Sequence, residues 1–467
     1  MKRRYLIFIV LIMVLLAAPL ILMPDFGSNW TTETTELAGI PTLRNEDGSL
    51  NMSFLSDAGA YFEDHFAFRP ELITASSKLD AALFGTSSTD QVITGKKGWL
   101  YYSGTLKDHQ RTNTLTDRQA FNIIHNLKMI NNYYKAAGID FVLTIAPDKC
   151  SLYPEYLPYY IVAGEGESNA DILKQMLSEA GIAYADMFEA FENDERILYY
   201  RTDTHWNELG AALAFKTLTE TMGKSDITDY DRIPYTLEKV HSGDLAEMLW
   251  PEAVKLEEDA VFDLEKTWEY TETVEDNMDD FFITENPSAG GSIYIFRDSF
   301  GSALVPYLAQ DFGKVVFSRL TPYNITDPFR YETDTVIIEK AERNILSLAK
   351  DVPAMPSISA NIAADSQIET RTTCNISESG GYYVISGAID PDVFTDDTGI
   401  YVETEFSDGQ TKTYEAFYLT GENAKGATWD YLYRVNIVKK DVMQPARVRV
   451  IISHEGEYVC VCGKSEM

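Results

Sequence analysis

Between Thr116 and Ile338 the chain alternates helical periods with short unbroken apolar runs, and that alternation restricts it to a sheet covered by helices. Thr116-Asp117-Arg118-Gln119 reads as a capping box and Gly138 as a stop, while Phe121, Ile124, Leu127, Ile130 and Tyr134 recur between them at helical spacing. The run Phe141 to Ala146 follows, which is how a strand buried on both faces of a parallel sheet reads. A second unit repeats the pattern with a helix from Asn169 to Ala180, a stop at Gly181 and a strand from Ile182 to Met187. The helix Asn207 to Met222, ended by Gly223, and the strands Ser292 to Phe296, Lys314 to Phe317 and Thr335 to Ile338 complete an open, mostly parallel α/β sheet flanked by helices. Ligands of such sheets bind outside the carboxyl ends of the strands, where Ala146 to Lys149 and Arg297 to Ser299 fall.

Candidate chemistry sits at those ends. Asp203 and His205 stand one residue apart just before a helical pattern, an orienter and a general base for a nucleophile supplied from elsewhere in the fold. Taken alone, such a pair is an ordinary satisfied surface pair. Its meaning changes with Ser299, which follows a buried strand on a strand-to-helix turn that exposes a side-chain oxygen and aims backbone N–H groups at an oxyanion. Asp203, His205 and Ser299 are therefore the candidate catalytic set. Arg297, Asp298, Lys149, Asp148 and Trp206 are candidates for oxyanion or substrate contacts, with a donor expected from the Pro147 to Lys149 turn. His65 and Arg69, in the aromatic stretch before Leu72, are weaker candidates, since such a turn usually anchors a helix while its polar groups satisfy each other. Asp244 reads first as a helix cap and only second as a site residue. No pair of cysteines stands at zinc-ligand spacing, and no metal or cofactor is expected.

The rest of the chain bounds location and partners. Lys2, Arg3 and Arg4 precede an uncharged apolar run, Tyr5 to Met23, of the length that spans a bilayer. Residues 1–24 are read as an uncleaved anchor, 25–53 as an extracytoplasmic stalk and 54–350 as the catalytic unit, with 225–290 an insertion packed over the sheet. The expected location is the cell membrane, crossed once, with the bulk of the chain outside. The 39 basic against 72 acidic residues, a net charge of −33, argue against nucleic acid, whose phosphates require basic patches. Four cysteines cannot frame the fold, and pairing of Cys374 with Cys460 or Cys462 stands level with buried thiols. From 353 to 467 short alternating segments suggest a small β-sandwich, read either as a carbohydrate-binding module using Tyr401 or Trp429 or as a structural domain.

Several pieces, DHFAFR, GKKGWLYY, APDKCSLYPEYLP, TDTHW, GDLAEML and RDSFG, together resemble the DHHW proteins, relatives of the alginate O-acetyltransferases AlgJ and AlgX. The resemblance covers about Phe62 to Asn344 and implies an SGNH-hydrolase-like domain with a triad of Ser299, His205 and Asp203. It departs at Arg297, where serine blocks of SGNH hydrolases usually carry Gly. The expected activity is transfer of an acetyl group to a surface or secreted glycan, with a polytopic membrane acyltransferase as partner. A carbohydrate esterase with water as acceptor and a non-catalytic glycan-binding protein are the alternatives.

Overall fold

The computed structural model describes residues 2–23, 37–45, 47–84, 87–274, 276–422, 428–454 and 456–461. The central sheet is built from β1 (Asp140–Ala146), β2 (Ala183–Ala185), β3 (Glu269–Tyr270), β4 (Phe281–Glu285), β5 (Gly290–Phe296), β6 (Phe312–Ser318) and β7 (Thr335–Ala341). Its spatial order is β2-β1-β7-β5-β6-β4-β3. Five neighbouring strands run parallel, and β4 and β3 close one edge antiparallel. That edge corrects one expectation. Residues 225–290 do not stay above the sheet, because their last part supplies these two strands, while Tyr235–His241 and Glu257–Phe262 form a separate hairpin.

The unbroken apolar runs are explained by burial on two sides. Val142, Ile295, Phe317 and Ile337 face a core shared with Ala211, Phe215 and Leu218, and Phe141, Leu143, Tyr294, Phe296 and Ile338 face the opposite one with Ile123, Leu127 and Leu173. Helix α1 (Asp117–Ala136) opens with the capping box of Thr116 and Gln119. Helix α2 (Asn169–Ala180) ends on Gly181 at φ 68°, a left-handed conformation that glycine adopts without a Cβ penalty. The next strand is shorter than expected, because Asp186 caps a new helix, Met187–Glu192, by accepting the Glu189 N–H at 3.1 Å. Helices α3 (Glu208–Thr221) and α4 (Val305–Asp311) follow the two halves of the candidate site.

At the amino end Lys2–Ile21 is a 20-residue helix. Among the described residues, no helix is long and apolar enough to cross a membrane. Residues 24–36, the end of the expected anchor and the start of the expected stalk, lie outside the described residues, as does Cys462.

At the carboxyl end a six-stranded and a four-stranded sheet share one core, with Val402, Phe406, Val450 and Ile452 meeting Ile385, Tyr433, Val435 and Ile437. This unit docks on α1. Asn126 Nδ2 donates to Tyr418 O at 2.8 Å, and His125 Nε2 bonds Ala416 O at 2.9 Å. Arg118 donates to Thr398 O at 2.8 Å and Asp396 O at 3.1 Å while its guanidinium lies 4.4 to 5.0 Å from the rings of Phe121, Phe394 and Tyr418. Of the two aromatics proposed for carbohydrate, Tyr401 packs edge-on to Tyr458 and Trp429 stacks on Tyr431 at 5.9 Å. Arg118→Ala removes the ring stack and leaves the buried Thr398 carbonyl without its donor, and should lower stability by about 2 to 3 kcal/mol. Calorimetry should then show the carboxyl-terminal unit melting ahead of the sheet, and one unshifted transition would contradict this account of the docking.

Candidate active site

A buried carboxylate collects the site. Tyr199 and Trp206 pair across a tight loop, closed by Tyr200 N–H donating to His205 O at 3.3 Å, and Asp203 lies at its tip with 3% exposure. His205 donates to Asp203 Oδ1 twice, from its backbone N and from Nδ1, each at 2.8 Å. That fixes the ring, and Nε2 stands 2.7 Å from Ser299 Oγ. On the other carboxylate oxygen, Oδ2, His241 Nε2 donates at 2.9 Å and Asp244 N at 3.0 Å. Burial would raise Asp203, but hydrogen bonds from His205 and His241 and their charges hold it well below the usual carboxylate range.

The loop is braced from three sides. Lys149 Nζ donates to Tyr200 O and Arg201 O at 3.2 Å, and to Asp203 O. Burial lowers Lys149 to about 8, against the opposing pull of Asp203, Asp244 and Glu257. The Glu257 carboxylate accepts from Arg201 N at 2.9 Å and Thr202 N at 2.7 Å. Asp244 Oδ1 accepts from Thr204 N at 2.8 Å.

Ser299 ends the β5 turn, caps the 3-10 segment Phe300–Leu304, and is partly exposed. Glu339 Oε2, from the neighbouring strand β7, accepts from Asp298 N at 2.9 Å and Gly301 N at 3.1 Å. Asp298 in turn accepts from Phe300 N at 3.1 Å, Ala341 N at 2.7 Å and Asn344 Nδ2 at 3.2 Å. The N–H groups just after Ser299 are thus spent on the turn, contrary to the expectation that they face an oxyanion.

The other candidates divide clearly. Arg297 is 1% exposed and turns inward, donating to Ser302 Oγ and Asp279 O at 2.7 Å, so it braces the turn rather than meeting substrate. Trp206 is core, 1% exposed and edge-on to Phe300 at 5.0 Å. Lys149 and Asp148 are both structural, the latter paired with Arg343 at 3.0 Å. His65 bonds Tyr61 O of its own helix at 2.9 Å, and Arg69 pairs with Asp64 at 3.8 Å. Asp244, read as a cap, stands one residue after Gly243, which holds the cap position, and its Oδ1 accepts the first-turn N–H of Leu245 at 2.6 Å; it also enters the site, where its backbone N–H donates to Asp203. His241 was not anticipated. Its only trace in the sequence is its place two residues ahead of Gly243-Asp244, on a strand whose partner cannot be read from local pattern.

Asp203, His205 and Asp244 offer ligand atoms within 4.8 Å of one another, a spacing open to a metal ion. Among the described residues the Asp203 oxygens nonetheless accept N–H donors, the pattern of a carboxylate that orients imidazoles. The arrangement can remove a proton from the Ser299 hydroxyl and return it elsewhere.

Residues 92–318 match the family model of the SGNH hydrolase-like domain of the acetyltransferase AlgX. The chain is 26% identical over 196 residues to a protein named probable alginate O-acetylase AlgJ of Pseudomonas aeruginosa, covering 41% of this chain and 49% of that one. It spans about half the length of the curated relatives it matches. Among solved structures, PatB1 of Bacillus cereus is 17% identical with TM-score 0.42, covering 55% of this chain and 97% of that chain. A DHHW family protein from Eubacterium siraeum is 16% identical with TM-score 0.40, covering 55% of this chain and 95% of that chain. In sequence the chain thus resembles the AlgJ and AlgX proteins.

Burial, reinforced by the Asp298 carboxylate, raises Glu339 well above the ordinary glutamate range. A raised folded value means that its contribution to stability is complete below the unfolded value, about 4.3, and is lost as pH rises through the folded value. Glu339→Gln keeps the acceptor oxygen and removes the ionisation. Its melting temperature relative to wild type should climb as pH rises above the unfolded value; a constant difference would contradict the assignment.

Proposed function

We propose that the protein is an extracytoplasmic O-acetyltransferase that passes an acetyl group through Ser299 to a surface or secreted polysaccharide. The observation that carries this reading is the hydrogen-bonded series Asp203, His205, Ser299 at the carboxyl end of a parallel sheet. His205 Nε2 takes the proton as Ser299 Oγ attacks the acetyl carbonyl, and Asp203 holds the ring and offsets the charge that forms on it. The Ser299 N–H is the donor suited to the oxyanion. Collapse of the tetrahedral adduct releases the donor's alcohol, which takes the proton from His205. A sugar hydroxyl then gives its proton to His205, attacks the acetyl-enzyme and frees Ser299.

Support for transfer, rather than plain hydrolysis, comes from the AlgX domain match and the relatives named as alginate O-acetylases. That same resemblance supports a polytopic membrane acyltransferase as the source of acetyl groups. The basic residues Lys2 to Arg4, the uncharged run behind them and the exposed apolar side chains of Tyr5 to Val14 support an amino-terminal membrane anchor.

With 4-nitrophenyl acetate as donor and an oligosaccharide as acceptor, wild type should release nitrophenol and yield acetylated sugar. Ser299→Ala should lower that rate by about 1000-fold or more. Asp203→Asn, which spoils the His205 tautomer, should lower kcat by about 1000-fold or more with KM little changed. Free acetate with no acetylated sugar would point to an esterase, and equal turnover by wild type and Ser299→Ala would refute the serine mechanism.

A further inference from the structure

Asp203 is held between two imidazoles, and only one of them reaches Ser299. His241 Nε2 donates to Asp203 Oδ2 at 2.9 Å while His205 uses Oδ1. The His241 ring is fixed in plane by Tyr200, stacked at 3.5 Å with 5° between the rings, and the Tyr200 hydroxyl is anchored on Asp259. The ring therefore cannot swing away from the carboxylate without breaking a stack and leaving Asp203 short of a donor.

We propose that His241 is a positioning residue for the acetyl transfer, aligning Asp203 from the side opposite His205, and that the transfer runs fastest when His241 is uncharged. This rests on the serine mechanism above. When Ser299 Oγ attacks, the O–H bond breaks and the proton moves to His205 Nε2, making an imidazolium. If His241 is also an imidazolium, one carboxylate is shared by two cations and stabilises the new one less. Neutral His241 still donates through Nε2–H but leaves the Asp203 charge to His205. The groups facing His241 decide whether that switch lies in a working pH range. Asp203 comes from the loop, Glu257 and Asp259 from the partner strand of the hairpin, Glu208 from the start of α3, and Tyr200 covers the ring face. Burial lowers His241, but the hydrogen bond and charge of Asp203, with Asp259 and Glu257, outweigh it and leave the group raised.

The test compares wild type, His241→Gln and His241→Ala as full-length chains in detergent, with 4-nitrophenyl acetate as substrate. On the acid side, log kcat/KM for wild type should rise with a slope approaching two, as both imidazoles must lose a proton. His241→Gln keeps a donor and loses the charge, so its slope should fall to one, with a plateau about threefold lower; His241→Ala should lie more than about tenfold lower. Matching slopes of one in wild type and His241→Gln would overturn the proposal. A second arm needs no turnover. In the Ser299→Ala background, adding His241→Gln should raise the NMR titration midpoint of His205, because a competing cation has left Asp203. An unmoved midpoint overturns the proposal even where turnover is normal. Loss of all Ser299-dependent turnover counts instead against the serine mechanism, and the NMR arm then still decides whether His241 governs Asp203.

Discussion

The buried carboxylate of Asp203 is the interaction on which the site depends. A carboxylate taken out of water is stable only when its lone pairs are filled, and here four N–H donors fill them: two from His205, one from His241 and one from the Asp244 backbone. Those donors come from the loop before α3 and from the hairpin region between residues 235 and 262. Satisfying one charge thus ties the hairpin to the sheet and fixes the imidazole that faces Ser299.

The nucleophile is placed by a second carboxyl group acting in a different way. Glu339 lies fully buried in β7 and reaches sideways to accept two N–H groups of the turn that follows β5. Close approach is needed for that bond. A Cβ on Gly301 would stand 2.6 Å from Arg297 Cβ and 2.9 Å from Glu339 Oε2, which explains glycine at this position. Arg297, inward and bonded to Ser302 and Asp279, braces the same turn. An arginine at this position therefore serves as internal scaffolding of the turn.

What could be read in the sequence was what local chemistry writes there. The capping box at Thr116, the stop at Gly181 and the two-sided apolar runs each report on a few neighbouring residues, and they marked the helices and parallel strands well. Asp203 and His205, one residue apart, and Ser299 on its turn were legible for the same reason. What failed was whatever depends on long-range pairing. The strands β3 and β4 were hidden in an acidic stretch, since what makes them strands is pairing, of β4 with β6 and of β3 with β4. His241 and Asp244 meet Asp203 across about forty residues, and no spacing rule announces such a meeting. Trp206 was expected near substrate because it follows His205, but successive side chains point to opposite sides and Trp206 takes the core side; Arg297, two residues before Ser299, is turned inward by its bonds to Ser302 and Asp279, partners that local sequence does not reveal.

The central claim is that Ser299 carries the acetyl group between donor and sugar, and the most direct measurement is to catch it there. Wild-type protein mixed briefly with 4-nitrophenyl acetate, quenched in acid, digested and analysed by mass spectrometry should show one added acetyl group on the peptide containing Ser299. Chasing with an oligosaccharide before the quench should remove it and return it as acetylated sugar. An acetyl group found only on other residues, or an unchanged adduct in Ser299→Ala, would contradict the account.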